Sequence, residues 1–225
     1  MKFWQVDSFT DRAFAGNPAV VIVLTEDISD ELKQDIAMEM NVSETAFVLK
    51  GEQNMEIRWF TPNSEVNLCG HATLAAGHIL WSEGFVKVDE IEFSSKSGSL
   101  GISRGNDIYT LDFPSQLPVE KAGYAELIES IVECKPLYIG SNGEDCVAEL
   151  PSTDVLRTAD PNLERVRELS ERGLLLTAKD NSGQFDYIYR AFFPKLDIAE
   201  DPVTGAANTL LAPYWAEKLG KSSLK

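Results

Sequence analysis

Arg58-Trp59-Phe60-Thr61-Pro62 returns later in the chain as Arg190-Ala191-Phe192-Phe193-Pro194, each copy standing at the end of a strand-like run. After each copy comes a loop holding an acidic residue, then a glycine that opens a small-residue helix closing on a tryptophan. The first of these helices runs from Gly70-His71-Ala72-Thr73-Leu74 to Trp81, the second from Gly205-Ala206-Ala207-Asn208-Thr209 to Trp215. A hairpin, loop, glycine, helix and Trp repeated in one order mark an internal duplication. Duplicated halves usually pack about a pseudo-two-fold axis, and small residues at both helix starts permit close backbone approach there. Two helix N-termini, with their unpaired N–H groups and positive dipole ends, would then converge on one cleft. Such a cleft suits a small carboxylate and needs neither a metal nor a Lys.

Outward from the repeat, the first half alternates over Lys2–Phe9, turns at Gly16-Asn17-Pro18 and resumes as a strand over Ala19–Leu24. Ser29 caps a helix whose Leu32, Ile36 and Met40 share one face and which ends near Asn41. Strands follow at Thr45–Lys50 and Glu56–Phe60 around a polar Gly51–Asn54 turn, then a Pro62–Leu68 loop and the Gly70–Ser82 helix. Strands at Glu90–Ser95, Gly98–Ser103 and Ile108–Phe113 complete this half, and Pro114-Ser115-Gln116-Leu117-Pro118 is the linker. The second half begins with a helix over Ala125–Cys134 and strands at Leu137–Ile139 and Asp145–Glu149. Asp160-Pro161 then opens a helix with Leu163, Val166 and Leu169 inward. A hairpin of Leu174–Ala178 and Phe185–Phe193 and a last helix, from Gly205 to about Leu219, complete it.

Composition excludes several classes of function. Apolar residues make up 44% of the 225, with 25% charged, which is globular usage. No apolar run approaches the ~20 residues of a membrane helix, and Asp7 interrupts what would be a secretory core, so the expected location is cytoplasmic. Twenty Lys and Arg against 36 Asp and Glu leave a net charge of −16, the wrong sign for nucleic acid. The densest acidic stretch, Glu26 to Glu39 with six carboxylates and one Lys, reads as a solvated helix face. Cys69, Cys134 and Cys146 make no CxxC pair and are expected as free thiols. Neither a GxGxxG nor a GK[ST] loop occurs, so no nucleotide cofactor is expected.

Acid/base chemistry in a cleft needs a carboxylate or a histidine held away from water. Glu44 stands at a strand entry between small polar neighbours, a place where composition alone would leave it in solvent. Asp201 either meets a ligand or holds the turn before the last helix. His71 follows a helix-opening glycine, where the dipole favours a neutral imidazole able to bond a ligand. His78, seven residues on, completes no zinc pattern, and no metal is expected. A thiol-nucleophile role for Cys69 is disfavoured, because residues two apart in a helix do not face each other and the matching position in the second half is Thr204. A packing role is expected for Cys69.

Ala15-Gly16-Asn17-Pro18, Ser43-Glu44-Thr45-Ala46-Phe47, Arg58–Pro62, Leu68-Cys69-Gly70-His71-Ala72-Thr73 and Glu200-Asp201-Pro202-Val203-Thr204-Gly205 together resemble the phenazine-biosynthesis PhzF-like family, in order and over nearly the whole chain. The resemblance implies an α+β fold of two similar diaminopimelate-epimerase-like domains, residues 1–115 and 119–225. Each would be a curved mixed sheet or partial barrel around a central helix, the two related by a pseudo-two-fold, with the active site between them. It implies a homodimer and a cofactor-free isomerase, metal-independent, acting on a small carboxylate-bearing metabolite in the cytoplasm. The phenazine enzyme itself tautomerises a dihydro-hydroxyanthranilate, a glutamate moving a proton between ring carbons. Glu44 matches that glutamate, His71 and Asp201 match substrate-binding residues, and Gly70 and Gly205 match the glycines at the helix starts. Two departures stand out. The family commonly has Ser and then Ala-His after the second glycine, whereas Ala206-Ala207-Asn208 here remove a hydroxyl that would line the substrate site at Ala206. Family members also continue past the last helix into further strands, whereas this chain stops at Lys225. The rival function is a metabolite-binding or regulatory protein that kept the cleft and lost turnover.

Overall fold

The computed structural model describes every residue except 13, 52–54 and 106–107. The Gly51–Asn54 turn expected from sequence falls largely outside the described residues. The chain divides into two compact units, Met1–Pro114 and Ser115–Lys225.

In the first unit β1 (Phe3–Ser8) pairs antiparallel with β2 (Asn17–Leu24), and helix α1 (Asp30–Met40) carries the chain over to β3 (Glu44–Lys50), parallel to β2. Antiparallel β4 (Met55–Phe60) and the two-residue β5 (Glu65–Val66) follow. Helix α2 (Gly70–Ser82) leads to β6 (Glu90–Ser95), parallel to β4, and a meander of β7 (Gly98–Gly105) and β8 (Ile108–Asp112) closes the path. The sheet order is β1-β2-β3-β4-β6-β7-β8, with β5 on β4. Helix α2 is its central helix. Ala72, Ala75, Ala76, Ile79, Leu80 and Trp81 all belong to the core that α2 shares with Val21, Val48, Ile57, Trp59, Phe93, Leu100 and Ile102. A helix apolar on every side is stable only when enclosed. Gly77 is what permits the close fit, since a Cβ there would lie 2.5 Å from Ile102 Cδ1.

The second unit repeats the pairing pattern. β9 (Val119–Glu120) and helix α3 (Ala125–Val132) precede β10 (Tyr138–Ser141) and β11 (Asp145–Glu149), an antiparallel pair. Helices α4 (Thr153–Thr158) and α5 (Leu163–Val166) cross over to β12 (Gly173–Lys179), parallel to β11. Antiparallel β13 (Tyr187–Phe193) and β14 (Ile198–Asp201) follow, then helix α6 (Asn208–Leu219). The succession antiparallel, parallel, antiparallel, antiparallel thus runs through β1–β5 and again through β10–β14. One electrostatic device recurs with it. Arg58 on β4 grips Glu65 on β5 at 2.8 Å, and Arg190 on β13 grips Glu200 on β14 at 2.7 Å.

Several local expectations need correction. In α1 the fully buried positions are Lys33 and Ala37; of the expected stripe, Ile36 and Met40 pack against the core and Leu32 is 44% exposed. The acidic stretch is therefore not wholly a solvated face: buried Lys33 donates to the Ile28 carbonyl and pairs with Asp27 at 2.8 Å. The ammonium cannot be buried unpaired, so the surrounding carboxylates close around it. The helix expected from Asp160-Pro161 is the short α5, capped instead by Asn162, whose side chain accepts from Arg165 N; Val166 and Leu169 are buried as expected. Gly205–Ala207 form a 3-10 turn, so the α-helix proper begins at Asn208. The cysteines are free thiols. Among the described residues no helix is long and apolar enough to cross a membrane.

Candidate active site

Glu44 is the first residue of β3 and pairs with Ala19 across the parallel β2–β3 ladder. That register draws its carboxylate into the first unit, and the side chain is only 14% exposed. The strand entry is not a solvent position here, because the start of β2 and the start of α2 both lie against it. His71 is buried in the first turn of α2, with Nε2 3.2 Å from Glu44 Oε2. Its main chain is tied to β1, where buried Ser8 donates its hydroxyl to the His71 carbonyl at 2.7 Å. Gly16 makes the β1–β2 connection possible. It sits at φ +76°, and a Cβ there would lie 2.1 Å from the Ser8 carbonyl oxygen.

Burial pushes the His71 imidazole down to about 4, and the Pro18 carbonyl only partly opposes this. The neutral ring expected from the helix dipole is found, but desolvation is the main cause. Glu44 therefore meets an uncharged imidazole and not an ionic partner. A consequence for stability follows directly. Unfolded chains take up a proton on this side chain near 6.5, which the folded protein refuses until about 4, so His71 stabilises the fold above pH 6.5 and that contribution is lost as pH falls to 4. Urea denaturation at pH 7 and pH 4 should show the His71→Gln variant losing about 3 kcal/mol less stability than the parent across this interval. Equal losses in the two proteins would contradict a neutral buried ring.

Cys69 keeps the packing role expected of it and also reaches His71. It is the N-cap of α2 with extended backbone, φ −143° and ψ 113°, so helical spacing does not govern where its side chain goes. Its Sγ lies 3.5 Å from His71 Nδ1, while the residue also packs into the α2 core. Glu44, Cys69 and His71 thus form a group of ligand-type atoms within 4.8 Å of one another. The short approaches use opposite ring nitrogens, Nδ1 toward the thiol and Nε2 toward the carboxylate. The Cys69 sulfur and a Glu44 oxygen also lie within 4.8 Å of each other, so the three groups surround one point with the spacing that ligands of a metal ion have. Gly70, buried beside His71, opens the helix, and no side chain caps the first turn.

In the second unit, Asp201 ends β14 and accepts from Thr204 Oγ1 at 2.5 Å, holding the turn before α6. It also borders a cavity of about 710 Å³ lined by Tyr187, Tyr189, Val203 and Asn208 among others. The turn-holding role expected of Asp201 is the one this geometry shows. Gly205 and buried Ala206 lie in the 3-10 turn ahead of α6. Asn208, at the position where the resemblance expects His, accepts a hydrogen bond from Tyr187.

Comparison with known proteins agrees with this architecture. An uncharacterized isomerase of Halalkalibacterium halodurans is 45% identical over 221 residues, covering 97% of this chain and 83% of that protein. The crystal structure of a phenazine biosynthesis protein of the PhzF family from Enterococcus faecalis superposes with a TM-score of 0.88 at 36% identity, covering 99% of this chain and 84% of the other. A hydroxyproline epimerase from Agrobacterium vitis has a TM-score of 0.60 at 9% identity, covering 92% of this chain and 75% of the other, a likeness of fold alone. The α+β, epimerase-like architecture with two curled sheets is thus the one expected. With the phenazine biosynthesis-like protein (PhzC-PhzF) model matching residues 6–225, the chain belongs to that family.

Proposed function

We propose that the protein is a cofactor-independent isomerase that moves a proton on a small carboxylate-bearing metabolite, with Glu44 as the acid/base. The observation that carries this reading is the mostly buried Glu44 carboxylate, 3.2 Å from a neutral, buried His71 at the start of α2. A carboxylate shielded from water takes a proton from carbon more readily than a solvated one and returns it at another carbon as the conjugate acid. The neutral imidazole stands 3.2 Å from Oε2 without setting a positive charge against it, so the carboxylate keeps its basicity. The uncapped first-turn N–H groups of the 13-residue α2, opened by Gly70, provide partial positive charge where substrate charge develops. Asp201, Gly205 and Ala206 are assigned to substrate binding in the same reading, and a homodimer in the cytoplasm to its setting. The isomerase names of relatives support the reaction class.

The test is to capture the ligand that co-purifies with the protein by native mass spectrometry and incubate it with the protein in deuterium oxide. Incorporation of solvent deuterium at carbon, followed by NMR, is the expected result. A ligand that binds and exchanges nothing would favour the metabolite-binding alternative.

A further inference from the structure

Three ligand-type side chains meet at the start of α2 from two separate stretches of chain. Glu44 opens β3, Cys69 is the N-cap of α2 and His71 stands in its first turn. One donor atom from each lies within 4.8 Å of the others, and Cys69 and His71 are each 4% exposed. Zinc bonds of about 2.0–2.1 Å to nitrogen and oxygen, opened at the tetrahedral angle, set those two atoms about 3.3 Å apart. His71 Nε2 and Glu44 Oε2 are separated by 3.2 Å, and Nε2 is buried with no hydrogen-bond partner. A buried ring nitrogen in that condition is costly unless something binds it. The Pro18 carbonyl meets the same ring, and a backbone carbonyl is a usual acceptor for the remaining N–H of a metal-bound histidine.

We propose that Glu44, Cys69 and His71 form a binding site for zinc or a divalent cation of its kind, and that the ion, by occupying the Glu44 carboxylate, inhibits the isomerisation. Thiolate, imidazole and carboxylate are the donors zinc takes in proteins. On binding, the ion accepts a lone pair from one ring nitrogen and one from a carboxylate oxygen, and displaces the thiol proton to water. Thiolate and carboxylate together carry two negative charges, which cancel those of the ion where water is excluded. Three protein ligands leave a fourth tetrahedral position for water or a small anion. The two close approaches use different ring nitrogens and an ion takes one of them, so rotation of the Cys69 or Glu44 side chain brings in the third donor. Entry is from the Glu44 side, where 14% of that side chain stays exposed. No zinc spacing is visible along the chain, because one ligand comes from β3 and two from the start of α2. The inhibition rests on the proposed proton transfer by Glu44. The binding does not.

Cobalt(II), which occupies zinc sites and reports its ligands by absorption, is the probe. The metal-stripped whole chain titrated with cobalt(II) should develop a sulfur-to-cobalt charge-transfer band together with the intense visible bands of four-coordination, and zinc should bleach both. Cys69→Ser should lose the charge-transfer band, whereas Cys134→Ser, at a free thiol of the second unit, should keep it. Glu44→Gln should weaken zinc binding by more than about 100-fold, since losing even the outer partner of a ligand costs about 10–100-fold. A parent protein without the band overturns the site, and so does a band that survives in Cys69→Ser or a zinc affinity in Glu44→Gln within about threefold of the parent. The parent and Glu44→Gln titrations stand even if the serine variant fails to fold. Deuterium exchange should cease at saturating zinc, and exchange at the parent rate with the ion bound overturns the inhibition. A cobalt band that follows position 69 in a protein that exchanges no deuterium would uphold the metal site while sinking the isomerase reading.

Discussion

Glu44→Gln should abolish solvent-deuterium incorporation, slowing it by about 10²- to 10⁴-fold, with folding stability changed by no more than about 1 kcal/mol. Glutamine keeps the shape, but it has no basic site to take a proton from carbon. The side chain lies at the start of β3, paired to β2 through the backbone, so the ladder of Thr45, Ala46 and Phe47 is left in place. Isotope exchange followed by NMR, with urea denaturation on the same samples, separates lost chemistry from lost fold. Exchange within threefold of the parent would remove Glu44 from the mechanism and leave His71 or Asp201 to be tried as the base.

Trp215→Ala should cost about 3–5 kcal/mol in urea denaturation, among the largest effects expected of a single core substitution here. Trp215 is fully buried in the core that α6 forms with Val147, Leu175, Ala191 and Phe193. Its ring stacks on Tyr187 with centroids 5.8 Å apart, and its Nε1 donates to Thr177 Oγ1 at 3.0 Å. Truncation would leave a ring-sized void and remove a partner from a buried hydroxyl. The equivalent Trp81 in the first unit stacks on Tyr109 and donates to the Val88 carbonyl at 2.7 Å. Both tryptophans therefore close the helix of their unit onto its sheet by the same means. A loss below about 1 kcal/mol at position 215 would show that the second copy of the device carries no comparable load.

The duplication was legible because it is written in local chemistry. The Arg-aromatic-Pro strand ends, helix-opening glycines and closing tryptophans are each dictated by backbone geometry within a few residues. The bounds of α2, β6 and β11 agree with the sequence reading residue for residue, since strong punctuation or sharp alternation marks their ends. The face of α1 was legible at Ile36 and Met40, which pack on the core, but not at Lys33, which is buried because Asp27 and Asp30 neutralise it. Among the candidate site residues, the types of Glu44, His71 and Asp201 were readable as acid/base or ligand groups. The contact of Cys69 with His71 was not, because spacing rules apply only inside a helix and the extended backbone of an N-cap lies beyond them.

By itself, then, the amino-acid order determined the repeated unit, the enclosed small-residue helix, the free thiols and the shortlist of chemically able side chains, because each depends on residues near one another in the chain. Tertiary structure alone decided that the Glu44 carboxylate is shielded from water, that the His71 ring is neutral down to about pH 4 and that a thiol stands at its other nitrogen. Those properties come from desolvation and from contacts between β2, β3 and the start of α2. Such contacts exist only once separate stretches of chain have been packed together.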